Sequence, residues 1–228
     1  MKILCTLTVL ILTAQTMPLS ASEFRSQPPR GTLHVITGSM CSGKSEETIR
    51  LTNKLLRSKH QVLTLKPGID NRKLQLKDDQ DPTKVLSSRA GTFIECVPVS
   101  CVGTLEEILE QKDPSHIVID EAHFFTPESK DFVALIVALL NHGKQIIVSG
   151  LDLNFRGEPF GPMPELLAYA DSVEKFKANC VKCHLEVYCI SQRLINGQPA
   201  RYHDPLIMVG AEELYEPRCR SCHECPKE

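Results

Sequence analysis

Short apolar runs alternate with charged, amphipathic stretches along most of the chain. Leu33 to Thr37 (LHVIT) is β-prone and stops at Gly38, and Gln61 to Leu65 (QVLTL) is a second such run closed by Pro67 and Gly68. Between them, Ile49, Leu51, Leu55 and Leu56 recur at helical spacing, which predicts a helix over 44–56. Residues 69–91 carry many charges and few large apolar groups and read as a surface loop. A short amphipathic helix is expected over 105–111, broken by Asp113-Pro114. His116 to Ile119 (HIVI) and Gln145 to Ser149 (QIIVS) read as buried strands, and 127–142 between them as a helix with Pro at its start and Gly143 past its end. Apolar strands alternating with helices imply an α/β fold, a parallel sheet covered on both faces.

The ends of the chain have a different character. Ile3 to Ala14 is an apolar and threonine run behind Lys2, followed by small residues at Ser20, Ala21 and Ser22, the pattern of a secretory signal. It is shorter than the roughly 20 apolar residues of a membrane span. Initiation at Met17 and an uncleaved tail compete with that reading. A cytoplasmic protein with a misassigned start is preferred over a secreted one. The expected organisation is a leader over 1–30, an α/β domain over 31–175 and a small domain over 176–228.

Composition alters this picture in two respects. The net charge of −2 over 228 residues, with seven Lys or Arg against seven Asp or Glu from residue 176 onward, argues against a basic nucleic-acid arm. Ten cysteines, six of them after residue 176, demand an explanation.

Gly38-Ser39-Met40-Cys41-Ser42-Gly43-Lys44-Ser45 fits G-x-x-x-x-G-K-[ST], between a predicted strand and a predicted helix. The glycines let successive N–H groups converge on phosphate oxygens, and the helix adds its positive end. Lys44 brings charge to the β- and γ-phosphates, and the Ser45 hydroxyl suits Mg²⁺. Asp120 and Glu121 leave the predicted strand 116–119 together. An Asp at that position in phosphate-loop enzymes holds the magnesium shell. Glu121 points elsewhere and is the candidate general base, ionised at neutral pH because an ordinary Glu titrates near about 4.3. Asp-Glu-Ala-His also spells a helicase box, but such helicases use two recombinase-like domains and this chain has room for one.

Cys180-x-x-Cys183 and Cys219-x-x-Cys222 are two C-x-x-C pairs, each offering two thiolates at zinc-binding separation. The long gap between them would make zinc the staple of a large loop. Cys225 forms an overlapping pair with Cys222, and His184 and His223 stand close by; disulfides would be favoured over zinc only if the secretory signal were genuine. Cys5, Cys41, Cys96, Cys101 and Cys189 read as ordinary core or surface residues, although oxidation of Cys41 would disturb the phosphate loop.

Taken together, these motifs resemble the cellular (type II) thymidine kinases from Gly31 to His223. The resemblance lies in the phosphate loop, in Asp-Glu-Ala-His-Phe-Phe (120–125), in Leu151-Asp-Leu-Asn-Phe-Arg-Gly-Glu-Pro-Phe160, and in the C-terminal run. That run comprises Gln192-Arg-Leu-Ile-Asn-Gly, Pro205-Leu-Ile-Met-Val-Gly-Ala-Glu-Glu-Leu-Tyr215 and Cys-Arg-Ser-Cys. It implies a phosphate-loop, recombinase-like sheet with a zinc-ribbon or lasso domain, and transfer of phosphate from ATP·Mg²⁺ to the thymidine 5′-hydroxyl. By this resemblance Glu121 accepts the proton, and Asp120, Ala122 and His123 join the phosphate loop on the ATP side. Met40, Leu151 and Phe155 form the apolar pocket, Tyr215 contacts the nucleoside, and main-chain groups of Pro205, Leu206, Ile207, Met208, Val209 and Gly210 hold the base. A homotetramer and feedback inhibition by dTTP are implied as well. The chain departs from the family where His123 replaces the commoner Gln and where Ala90 lacks a carboxylate that some members have; Arg89 is a weaker candidate phosphate clamp. Against this stands a nucleic-acid-associated phosphate-loop ATPase with a zinc module, which predicts a basic ribbon with stacking aromatics.

Overall fold

The computed structural model describes residues 30–70, 81–208 and 214–227; the leader to residue 29, Val209 and Gly210 lie outside them. Six parallel strands make the central sheet: β1 (Thr32–Thr37), β2 (Val62–Pro67), β5 (Val97–Val99), β6 (His116–Ile119), β7 (Gln145–Gly150) and β8 (Ser172–Lys175). Their order is β5-β2-β6-β7-β1-β8. The apolar runs read from the sequence are its inner strands. Leu33, Val35 and Ile36 of β1 and Ile117, Val118 and Ile119 of β6 are fully buried, as expected of strands covered on both faces. Helices α2 (Val102–Lys112), α3 (Ser129–Asn141) and α4 (Met163–Tyr169) pack on one face around Leu105, Phe132, Ile136 and Leu166. Helix α1 (Lys44–Arg57) and a hairpin of β3 (Val85–Ser87) and β4 (Phe93–Glu95) form a second cluster through Ile49, Leu86, Cys96 and Ile94.

Several expectations are corrected. The predicted loop over 69–91 contains a 3₁₀ turn at Pro82–Lys84 and strand β3, and Asp70, Val85, Leu86 and Ser88 are buried. Few apolar residues suffice there because Lys66 and Asp70 form a buried ion pair at 3.2 Å, and Lys66 also donates to the Val85 carbonyl. The helix expected from Pro127 begins at Ser129, since Pro127 sits inside a 3₁₀ run over Ala122–Glu128. In α1 the buried residues are Lys44, Thr48, Ile49 and Thr52, while Leu56 is exposed. Thr48 and Thr52 tolerate burial by donating their hydroxyls to the carbonyls of Lys44 and Thr48.

The chain after β8 is not simply loop. It forms an antiparallel pair of β9 (Ala178–Asn179) and β10 (Glu186–Val187), and a three-stranded sheet β12-β11-β13. There β11 (Ile190–Ile195) lies between β12 (Gln198–Pro199) and β13 (Tyr215–Arg218). The long connection from β12 to β13 is the lasso. Among the described residues no helix is long and apolar enough to cross a membrane.

Candidate active site

Strand β1 delivers the chain into the phosphate loop, which turns through positive φ at Gly38 (137°), Cys41 (63°) and Gly43 (95°). Gly38 has no alternative: a Cβ there would stand 2.7 Å from the Phe176 carbonyl oxygen. That carbonyl is held close because the Phe176 N–H donates to Thr37 O at 2.8 Å, continuing β8 past the back of the loop. Lys44 is buried, with Nζ donating to the Ser39 carbonyl at 2.7 Å, and the Ser42 hydroxyl donates to the same oxygen at 2.8 Å. No side chain caps α1, so its first N–H groups face the loop, the arrangement that receives phosphate.

The acidic pair diverges because Glu121 adopts φ 52°, ψ 38°, a left-handed conformation uncommon outside glycine. Asp120 stays with the sheet. It is buried and accepts a hydrogen bond from the Ser149 hydroxyl on neighbouring β7. Glu121 turns into the cleft instead. Beside it, His123 is buried against Phe124 and Phe160, with ring centroids 4.3 and 4.7 Å away. Its Nδ1 accepts the Leu151 N–H at 3.1 Å, which requires a lone pair there and places the ring proton on Nε2. The 3.5 Å approach of Nδ1 to Glu121 Oε2 is therefore not an ion pair in this tautomer. A Gln carbonyl can accept the same amide, so His123→Gln should retain most stability and activity. His123→Ala should cost about 1–3 kcal/mol, the desolvation penalty of a stranded donor. Urea unfolding of the two variants checks this.

One cleft of about 230 Å³ joins these parts. From the phosphate loop it takes Met40, Cys41, Ser42, Gly43, Lys44 and Ser45; Glu121 and His123 follow from the end of β6. Its apolar lining is Phe124, Leu151, Phe155 and Phe160, with Leu206, Ile207 and Met208 from the lasso. Tyr215, also in the lining, donates its hydroxyl to the Met208 carbonyl at 2.9 Å and so ties the far side of the lasso to β13. Ser191 accepts the Met40 N–H at 2.9 Å, joining β11 to the phosphate loop across 151 positions of sequence.

The sulfurs of Cys180, Cys183, Cys219 and Cys222 all lie within 4.8 Å of one another. Those of Cys183 and Cys219 are 3.8 Å apart, the edge of a tetrahedron built on Zn–S bonds of about 2.3 Å. The two knuckles have the same shape: His184 N–H donates to Cys180 O at 2.8 Å and His223 N–H to Cys219 O at 2.9 Å. Burial raises the Cys180 thiol, but hydrogen bonds from the backbones of Cys219, Cys183 and Lys182 outweigh it and bring the pKa to about 6. An all-sulfur donor set with backbone support fits a structural zinc. Cys225, His184 and His223 stay outside the set. His223 bonds instead through Nε2 to the Phe155 carbonyl at 2.8 Å.

Comparison with known families adds the deciding observation: the family model described as Thymidine kinase matches residues 31–223. The chain belongs to the thymidine kinase family. Membership carries the general activity, a kinase with ATP and thymidine as substrates.

The cleft of this family member gathers most of the residues that the sequence singled out, but not all. Gly38, Ser39, Asp120, Ala122 and Pro205 are not in its lining. Gly38 and Ser39 shape the loop from behind, while Asp120 and Ala122 sit in the sheet end and the core. Ser87, Ser88 and Arg89 do line it. Phe124, Phe160 and Ser191 are lining residues that sequence reasoning missed. Both phenylalanines lay inside quoted motifs, yet nothing local told them from core aromatics. Ser191 carried no signal at all.

Proposed function

We propose that the protein transfers the γ-phosphoryl group of ATP to the 5′-hydroxyl of thymidine, with deoxyuridine also accepted, giving dTMP for DNA synthesis. The observation that carries this reading is the shared cleft. Glu121, Lys44 and Ser45 line it together with an apolar wall and the lasso, so a triphosphate and a flat, weakly polar nucleoside would meet beside the Glu121 carboxylate. We read residues 31–175 as the nucleotide-binding domain and 176–228 as the zinc-stapled lasso domain.

In this mechanism Glu121 accepts the 5′-hydroxyl proton as that oxygen attacks the γ-phosphorus in line and ADP departs. Lys44 and the phosphate-loop amides hold the charge that spreads over the phosphoryl oxygens. Ser45 and Asp120 are hard oxygen donors of the kind Mg²⁺ takes and would hold it; the ion supplies further neutralisation of the β- and γ-oxygens. The base is read by main-chain groups of residues 205–210, which discriminate only if the lasso is fixed. The same reading gives a cytoplasmic homotetramer inhibited by dTTP, testable by sedimentation and by titrating dTTP into the assay.

The test is purified protein with ATP, Mg²⁺ and a panel of nucleosides. ADP release should depend on thymidine or deoxyuridine and be absent with purine nucleosides. Nucleoside-independent hydrolysis stimulated by DNA would overturn the reading and favour the nucleic-acid-associated ATPase.

A further inference from the structure

Arg193 is fully buried in the middle of β11, two residues from Ser191 and so on the same face of the strand. Its guanidinium carbon lies 3.7 Å from the centroid of the Phe155 ring, a face-on contact with the apolar wall of the cleft. Its Nη1 donates to the Pro205 carbonyl at 2.6 Å, while Nε and Nη2 have no hydrogen-bond partner among the described residues. No carboxylate forms a salt bridge with it among those residues. Burying a guanidinium without a counter-ion is costly, and an apolar side chain of similar volume would serve stability better. Its role must therefore be sought in what it holds.

A second, partly exposed arginine makes a similar stack, with the Glu158 carboxylate 4.0 Å from its Nη1. Arg156 lies over Phe155 at 5.3 Å and over Tyr202 at 4.8 Å, and its Nη2 donates to the Asp204 carbonyl at 3.1 Å. Tyr202 is itself anchored, its hydroxyl donating to Glu158 Oε1 at 2.6 Å. Two guanidiniums thus grip one aromatic ring and two successive carbonyls, and the next residues in the chain, Leu206 and Ile207, line the cleft.

We propose that Arg193, assisted by Arg156, is a positioning residue that locks the root of the lasso to Phe155 and so sets nucleoside affinity without touching the phosphate chemistry. The inference rests on the proposed kinase reading for its substrate but not for its geometry. Planar guanidiniums suit the task, because they stack on a ring while donating in their own plane. Lysine has no such face.

The test uses the full chain loaded with zinc and compares wild type with Arg193→Met and Arg156→Gln. Without substrate, amide exchange of residues 202–208 should quicken about tenfold in Arg193→Met, with exchange in β1, β6 and β7 unchanged. In the kinase assay, the thymidine KM should rise about tenfold while the ATP KM and zinc content hold. Arg156→Gln should move both readouts in the same direction by less; the Arg156 side chain is 20% exposed and Gln keeps a polar group in its place, and this variant carries the test alone if Arg193→Met fails to fold. Unchanged lasso exchange, or equal rises in both KM values, would overturn the proposal. Wild-type protein that turns over no thymidine, with variants that still loosen the lasso, would sink the kinase reading and leave the lock standing.

Discussion

Replacing Glu121 by Gln should lower thymidine phosphorylation by about 10²–10⁴-fold, the span that a positioned general base supplies. The substitution keeps side-chain size and the left-handed turn at position 121 and removes only the ability to take a proton. ATP affinity should stay within a few-fold, because Lys44, Ser45 and the loop amides are untouched. The result should appear in kcat, with both KM values near wild type, since the carboxylate acts as the hydroxyl attacks. A variant that keeps wild-type kcat would remove Glu121 from the mechanism. Loss of ATP binding would instead mean that the turn at Glu121 shapes the phosphate site, as its position one residue from Asp120 and two from His123 would then require.

Replacing Cys219 by Ser should release zinc and with it nearly all nucleoside phosphorylation, while ATP binding survives. A structural zinc contributes roughly 10–16 kcal/mol to ordering the elements it closes. Here those elements are the β9–β10 pair and the end of β13, whose other end, at Tyr215, holds the Met208 carbonyl. Loss of a ligand should cost more zinc affinity than the roughly 10–100-fold that follows loss of a supporting hydrogen bond. Metal analysis should fall from one zinc per chain to almost none, and thymidine turnover with it. The parallel sheet carries its own core around Leu33, Ile117, Ile119 and Phe132, so binding of an ATP analogue should report an intact phosphate loop. A zinc-free variant that still phosphorylates thymidine at the wild-type rate would separate the metal from the lasso.

The two effects differ in kind. The Glu121 change acts on a reacting proton; the Cys219 change acts through some thirty residues of chain that must be held in place before a base can be read. Arg193 and His223 lie between these extremes, linking Pro205 to β11 and the Phe155 carbonyl to the chain just after Cys222.

What could be read from the amino-acid sequence was whatever has a local cause. The phosphate loop is legible because its glycines must adopt positive φ between a strand and a helix. The apolar runs 33–37, 116–119 and 145–149 are legible because strands buried on both faces leave little room for polar side chains, so apolar residues crowd together in the sequence. The cysteine quartet is legible because each knuckle presents its two sulfurs by itself.

Other features depended on partners far away in the chain. Burial of Thr48, Thr52, Lys66 and Asp70 depends on carbonyls and counter-charges that composition does not reveal. Strand β3 was hidden in a charged segment because its apolar partners, Ile49 and Cys96, lie on other elements. Only the tertiary structure decided which phenylalanines line the cleft, that Ser191 reaches the loop at Met40, that His223 bonds Phe155 and stays outside the cysteine cluster, and that a buried arginine bonds the Pro205 carbonyl. The physical reason is the same throughout. Backbone conformation and strand burial are written in neighbouring residues, whereas the fate of a polar side chain is set by the hydrogen-bond partner that folding brings to it.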